Sequence, residues 1–249
     1  MYVRDGAPLF SPSDQGTPER DWQVSLVDVP VVRLPRGQVV VVAPHPDDET
    51  LGAGGVIATT LSAGFDVTVV SCSDGEGAYD DPGLGARRRD ELDLALRRLA
   101  GSSVDPGTGG TLSCVRLELP DGQLSRHEAT LVSHLEMLTS CAAAVIGPWP
   151  GDGHPDHEAV GRACEQVTRH RPQDLFTYPI WAWHWGTPDQ LPMDPMVRVT
   201  LDCSARLAKT KALGAFTSQT LRPVDGAILP SHVLAHFHRP YEVFFRSER

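Results

Sequence analysis

The sequence predicts a single α/β domain with a Rossmann-like, mostly parallel sheet and helices on both faces. Three observations carry that expectation. An unbroken β-branched run, Val39–Ala43, stops at Pro44. Apolar throughout, it suits a central strand covered on both sides rather than one with a wet face. A helical stretch over residues 49–63 follows, with Gly64 as its stop, and residues 67–72 form a second apolar run, which completes one βαβ unit. The alternation then continues, with a helix over 87–99 stopped by Gly101, a strand at 115–119, a helix over 127–139 and a strand at 143–147.

Residues 1–36 are polar and rich in Pro, Ser and Asp, and are expected to form an irregular N-terminal arm ahead of a domain spanning 37–249. The last third is less regular. It holds a Trp-rich segment, a helix over 204–216 and a final strand over 241–245, all expected to pack on the same core. Residues 101–110 are a Gly/Ser/Pro/Thr stretch that fits a surface loop.

At 249 residues and 41% hydrophobic content the chain can bury a substantial core. A formal net charge of −10, with no stripe of Lys or Arg, repels phosphate backbones and excludes nucleic acid as a partner. The first 20 residues have neither the basic start nor the apolar stretch of a secretory leader, and no segment is long enough to span a bilayer. A cytoplasmic location is therefore expected. Cys72, Cys114, Cys141, Cys164 and Cys203 are odd in number, scattered and never paired as C-x-x-C, so neither a disulfide framework nor a thiolate zinc site is expected.

The chemistry-bearing residues fall in two clusters, each after a strand. Pro44-His45-Pro46-Asp47-Asp48-Glu49 follows the first strand, where open α/β sheets place their ligand crevice. A His and two carboxylates within four residues supply two metal ligands and leave one carboxylate free to act as a base, with Glu49 able to orient a ligand from behind. Gly153-His154-Pro155-Asp156-His157 follows the strand at 143–147 and should open on the same sheet edge. Two protein nitrogens, one carboxylate and an open water position make the layout of a catalytic zinc, whereas a structural zinc is closed by four protein ligands. The bland alternative is helix capping, with Asp47 or Asp48 accepting backbone N–H groups at the following helix start. Two such clusters after two strands favour the metal.

With these stand Gly52-Ala53-Gly54-Gly55, Arg88-Arg89-Asp90-Glu91-Leu92 and Pro120-Asp121-Gly122. In this order the motifs, covering about residues 39–161, resemble the LmbE-like deacetylases, the superfamily that includes the N-acetylglucosaminyl-phosphatidylinositol (PIG-L) and mycothiol-pathway deacetylases. The resemblance implies a zinc-dependent hydrolase that removes an N-acetyl or other N-acyl group from an amino-sugar-containing small molecule. It implies His45, Asp48 and His157 as metal ligands, Asp47 as general base, His154 as oxyanion stabiliser and Asp156 as the residue that tunes His154. It places Arg88 and Asp121 at the substrate, Asp121 meeting a sugar hydroxyl. A solvated helix face for Arg88 and a Pro-Asp-Gly turn for Asp121 are the plain alternatives. The donor set would also accept iron(II), cobalt or nickel. Where some relatives have a Tyr two residues before the first His of the second motif, this chain has Asp152.

In Trp181-Ala182-Trp183-His184-Trp185, Trp183 or His184 is expected to line the pocket, although buried Trp more often packs in a core. His232, His236 and His238 carry no assigned role. The glycines at 52–55 lack G-x-G-x-x-G spacing, which weighs against a nucleotide-binding oxidoreductase. A metal-dependent phosphoesterase, which usually needs more bridging carboxylates, and a non-catalytic metal- or sugar-binding module remain as alternatives.

Overall fold

The computed structural model describes residues 3–4, 7–8, 11, 13–101, 109–221 and 226–247. Seven strands form its main sheet: β1 (Val39–Ala43), β2 (Val67–Ser71), β3 (Leu112–Arg116), β4 (Ala144–Pro148), β5 (Asp174–Tyr178), β6 (Met196–Thr200) and β7 (Tyr241–Arg246). Their order across the sheet is β3-β2-β1-β4-β5-β7-β6. β1 pairs in parallel with β2 and β4, β2 with β3, and β4 with β5. β7 is antiparallel to both of its neighbours, β5 and β6. The sheet is thus mostly parallel, as expected, and its strand order reverses between β1 and β4, the switch point at which such sheets open a crevice.

The helices are α1 (Glu19–Ser25), α2 (Asp48–Ser62), α3 (Leu84–Ala100), α4 (Glu128–Leu138), α5 (Pro155–Thr168), α6 (Ala182–Trp185) and α7 (Cys203–Leu213). Along β1 the side chains alternate between two cores. Val39 and Val41 join residues of α1, α2, α3 and α7, while Val40 and Val42 join residues of α4 and α5. Both faces are covered, so every residue of β1 is buried, and each Val contributes roughly 1.5–3 kcal/mol relative to an exposed one.

Several elements differ from expectation. β3 starts at Leu112, not 115, because an edge strand with half-exposed residues shows no continuous apolar run. The ladder loosens beyond it, where Leu117 and Leu119 still donate to Ser71 and Cys72 while Glu118 between them takes a φ of 52°. The helix expected over 204–216 ends at Leu213, and a further short helix follows from Thr217 to Thr220. Of the 101–110 stretch, residues 102–108 lie outside the described residues.

The arm is not wholly irregular. It contains α1, whose Trp22 is fully buried and donates from Nε1 to the Trp183 carbonyl at 2.8 Å. Val32 donates to the Arg198 carbonyl, and Arg198 to that of Pro30, so the arm runs along β6. Glu19 receives Nε and Nη2 of Arg239 at 2.8 and 2.6 Å and meets His236 Nδ1 at 2.7 Å. Burial pushes the Glu19 pKa up, but the bonds from Arg239 and His236 prevail and bring it from 4.5 to about 2. A carboxylate depressed in the folded state stabilises it above its unfolded pKa and ceases to do so as pH falls through the folded value. Glu19→Gln is therefore expected to lower the thermal midpoint at pH 7, and the difference from the parent should close between pH 4.5 and about 2, as followed by circular dichroism melts.

The glycines of α2 serve close packing rather than a phosphate. A Cβ on Gly52 would stand 2.4 Å from the Tyr178 ring, and one on Gly55 2.3 Å from Leu201. Beside them lies a buried ion pair. Lys209 Nζ reaches Glu242 Oε1 and the Leu51 carbonyl, both at 2.7 Å, while Glu242 also accepts the N–H groups of Gly55 and Val56. Strand β7 is thereby bound to the middle of α2.

Candidate active site

Both motifs emerge at the switch point, one after β1 and the other after β4. Asp47 stands at the start of α2 with a φ of 130°, a conformation a side chain rarely adopts, and makes no capping bond. Its amide donates to Glu49 Oε2 at 3.1 Å, which leaves the carboxylate turned away from the helix. Arg88 Nη2 bonds Asp47 Oδ2 at 3.1 Å and the Pro46 carbonyl at 2.8 Å, and its Nη1 bonds the Gly75 carbonyl at 3.0 Å. Arg88 is therefore no solvated helix residue; it is buried and lines the same cavity as Asp47. Burial, opposed by Arg88 and reinforced by Asp48 and Glu49, pushes the Asp47 carboxyl up to about 8, and a divalent cation bound beside it would bring it down again, to where it can accept a proton.

Asp48 Oδ2 stands between His45 Nδ1 and His157 Nε2. The carboxylate oxygen lies 3.2 Å from the first nitrogen and 3.3 Å from the second. Donors on a tetrahedron around a metal at about 2.0–2.1 Å stand about 3.3 Å apart. His157 Nε2 is buried, and its contact with Asp48 Oδ2 at 3.3 Å is not aligned as a hydrogen bond, a costly state for a polar atom unless a metal takes its lone pair. The donor set therefore fits a divalent metal. Burial opposes ionisation of Asp48, but His157 and His45 outweigh it and hold the group far below the usual carboxylate range.

His154 also lies in a three-histidine group with ligand atoms within 4.8 Å of one another, yet its own bonding excludes it from the donor set. It caps α5, its Nδ1 accepting the Asp156 amide at 3.1 Å, with Pro155 in the first turn. Burial, then His157 and His45, hold its pKa well below the usual value. The ring is neutral with its proton on Nε2, a donor for developing negative charge rather than a lone pair for a metal.

Asp156 and Asp121 both meet His45. The Asp156 carboxylate accepts Gly122 N–H at 2.7 Å and Leu124 N–H at 3.0 Å and lies 3.2 Å from His45 Nε2, while its own amide donates to the His154 ring. Asp121, expected at a sugar hydroxyl, places Oδ1 3.0 Å from the same Nε2 and accepts Gly77 N–H on Oδ2. The two acids favour a proton on His45 Nε2.

Asp152, noted in the sequence only as a departure, is fully buried behind His157. Its Oδ2 lies 2.8 Å from His157 Nδ1. The same carboxylate accepts the N–H groups of Ile180, Trp181 and Ala182 at 2.8–3.1 Å. A carboxylate behind a ligating His was the available signal. In the Trp-rich segment, Trp181 lines the cavity, not Trp183 or His184. Trp183 is core, edge-on to Trp22 with the Arg239 guanidinium 4.2 Å over its ring.

The cavity over the site is about 740 Å³, within the range of small-molecule sites. All five cysteines are free, with Cys72 and Cys164 buried. No helix among the described residues is long and apolar enough to cross a membrane.

The chain belongs to the GlcNAc-PI de-N-acetylase (PIG-L) family, whose family model matches residues 40–168, the segment holding both motifs. It is 33% identical over 135 residues to the 1D-myo-inositol 2-acetamido-2-deoxy-alpha-D-glucopyranoside deacetylase of Mycolicibacterium vanbaalenii, covering 45% of this chain and 48% of that one. It is 30% identical over 180 residues to the enzyme of the same name from Nocardia farcinica, covering 62% and 59%. The chain thus spans about half the length of the curated relatives it matches. The N,N'-diacetylchitobiose deacetylase of Pyrococcus horikoshii shares the fold, with a TM-score of 0.60 at 19% identity over 92% of this chain and 88% of that one.

Proposed function

We propose that the chain is a zinc-dependent N-deacetylase acting on an amino-sugar-containing small molecule. The observation that carries this reading is the placement of Asp48 Oδ2 within 3.2 Å of His45 Nδ1 and 3.3 Å of His157 Nε2, beside a carboxylate, Asp47, that lies outside the donor set. The acetamido-sugar substrates named for the relatives point to the same bond.

A zinc held by His45, Asp48 and His157 would polarise the amide carbonyl and acidify a water. Asp47, fixed by Arg88 and by Glu49 behind its amide, takes the proton from the attacking water. His154 donates from Nε2 to the oxygen that gains charge as the carbonyl becomes tetrahedral. Asp121 and Asp156 keep His45 in its ligating tautomer, and Asp152 does the same for His157. A phosphoesterase with two metals is disfavoured, because among the described residues the group His45, Asp121 and Asp156 shares His45 with the proposed donor set.

The test is amine release from a panel of N-acetylated amino sugars and glycosides by protein of measured metal content. Release that a chelator abolishes and zinc restores, at one metal per chain, is expected. Release indifferent to the chelator, or a protein that binds no metal, would overturn the reading.

A further inference from the structure

The cavity is built from two sources. Its floor, with His45, Asp47, Asp48 and His157, comes from the segment that matches the family, whereas its outer wall comes from residues beyond that match. Ser11 and Asp14 of the arm stand on one part of that wall, and Gln219, Ile228 and Leu229 on another.

The arm is held in place there. The Ser11 carbonyl is 3.0 Å from His184 Nε2, the Asp14 carbonyl 3.1 Å from His232 Nε2, and Thr17 donates to the His184 carbonyl at 2.9 Å. Gly16, at a φ of 60°, passes so close to His184 that a Cβ would stand 2.2 Å from its Nδ1. Below these contacts Trp22 and Glu19 bind the arm to the core, as described. His184, His232 and His236 thus position the arm.

The wall's charge is one-sided. Among the described cavity-lining residues the carboxylates are Asp14, Asp47, Asp48, Asp121 and Asp156, which outnumber the charge of one guanidinium, Arg88, already paired with Asp47, and of a divalent metal at the donor set. Asp14 is the sole charged residue among the five named for the outer wall. It is exposed, and its Oδ2 accepts the Ser11 N–H at 2.8 Å. A concave wall with a fixed negative charge repels anions and favours hydroxyl donors and cations.

We propose that Asp14 is a specificity-determining residue, and that the arm selects amino-sugar substrates whose distal part is an uncharged polyol or a cation over those carrying a phosphate there. The proposal rests on the deacetylase reading for the acetamido end of the substrate, but the arm's selection is read by binding alone.

The probes are three N-acetylglucosaminides that differ only at the end of the aglycone: hydroxyethyl, aminoethyl and phosphoethyl. Their dissociation constants are measured by calorimetry on metal-loaded Asp47→Asn protein, with and without Asp14→Lys, and turnover is measured in parallel with Asp47 intact. The aminoethyl probe should bind more tightly than the phosphoethyl probe. Asp14→Lys should cut that preference about tenfold at low ionic strength, and less as salt is raised. Free N-acetylglucosamine, which lacks the aglycone, should bind both proteins within about twofold, a result that separates a charge effect from a disturbed fold. A preference unchanged by Asp14→Lys, or no binding of any probe, would overturn the proposal. A preference that responds while none of the probes is deacetylated would leave the arm's role standing and sink the deacetylase reading.

Discussion

Asp47→Asn protein is expected to keep its metal and lose about 10²- to 10⁴-fold in kcat, the range for removal of a general base. Asn preserves the shape of the side chain and tolerates the unusual backbone at this position better than most residues. It also leaves an oxygen to accept from Arg88, so the buried guanidinium is not abandoned. His157→Ala should behave differently, losing metal and turnover together, because Nε2 belongs to the donor set itself. Elemental analysis beside the rate assay separates the two. Asp47→Asn turnover within about tenfold of the parent would mean that another group takes the proton.

The second large effect is expected behind the donor set. Asp152 lies against His157 Nδ1 and accepts three successive backbone amides at residues 180–182. Asp152→Asn should weaken metal binding about 10- to 100-fold, as loss of a carboxylate behind a ligating His usually does. Turnover should recover when metal is supplied in excess. Asp152→Ala should add a drop in the thermal midpoint that metal does not repair, because three buried N–H groups lose their acceptor. Equal metal affinity in parent and Asp152→Asn proteins, by competition with a chromophoric chelator, would remove Asp152 from the site.

Much of this arrangement was legible in the sequence because the informative parts are local. Val39–Ala43 declares a doubly covered strand by composition, and His45, Asp47 and Asp48 lie within four residues of one another. What escaped depends on long-range contacts. Asp121 and Asp156 meet at one nitrogen of His45 although far apart in sequence from it, and no spacing rule ties a carboxylate at 121 to a ring at 45. Asp152 looked like the loss of a Tyr because its partner amides at 180–182 come from beyond the next strand. The arm read as irregular since α1 is short and buries a single residue, Trp22, so it shows no helical period. β6 and α5 escaped for related reasons, one being a short edge strand and the other a helix whose start is taken up by the catalytic motif.

The placement of β7 bears on how the chain is made. β6 is synthesised first, yet it reaches the sheet only through β7, which inserts between it and β5. Until β7 has left the ribosome, the outer edge of β5 is open, β6 has the arm beside Arg198 but lacks its sheet partner, and α2 lacks the Glu242 carboxylate that receives Lys209. A nascent chain therefore carries an open apolar strand edge beside a metal site whose supporting helix is not yet secured, a state prone to pairing with a neighbour. A holdase chaperone present until β7 has emerged should accordingly raise the soluble yield more than added zinc does.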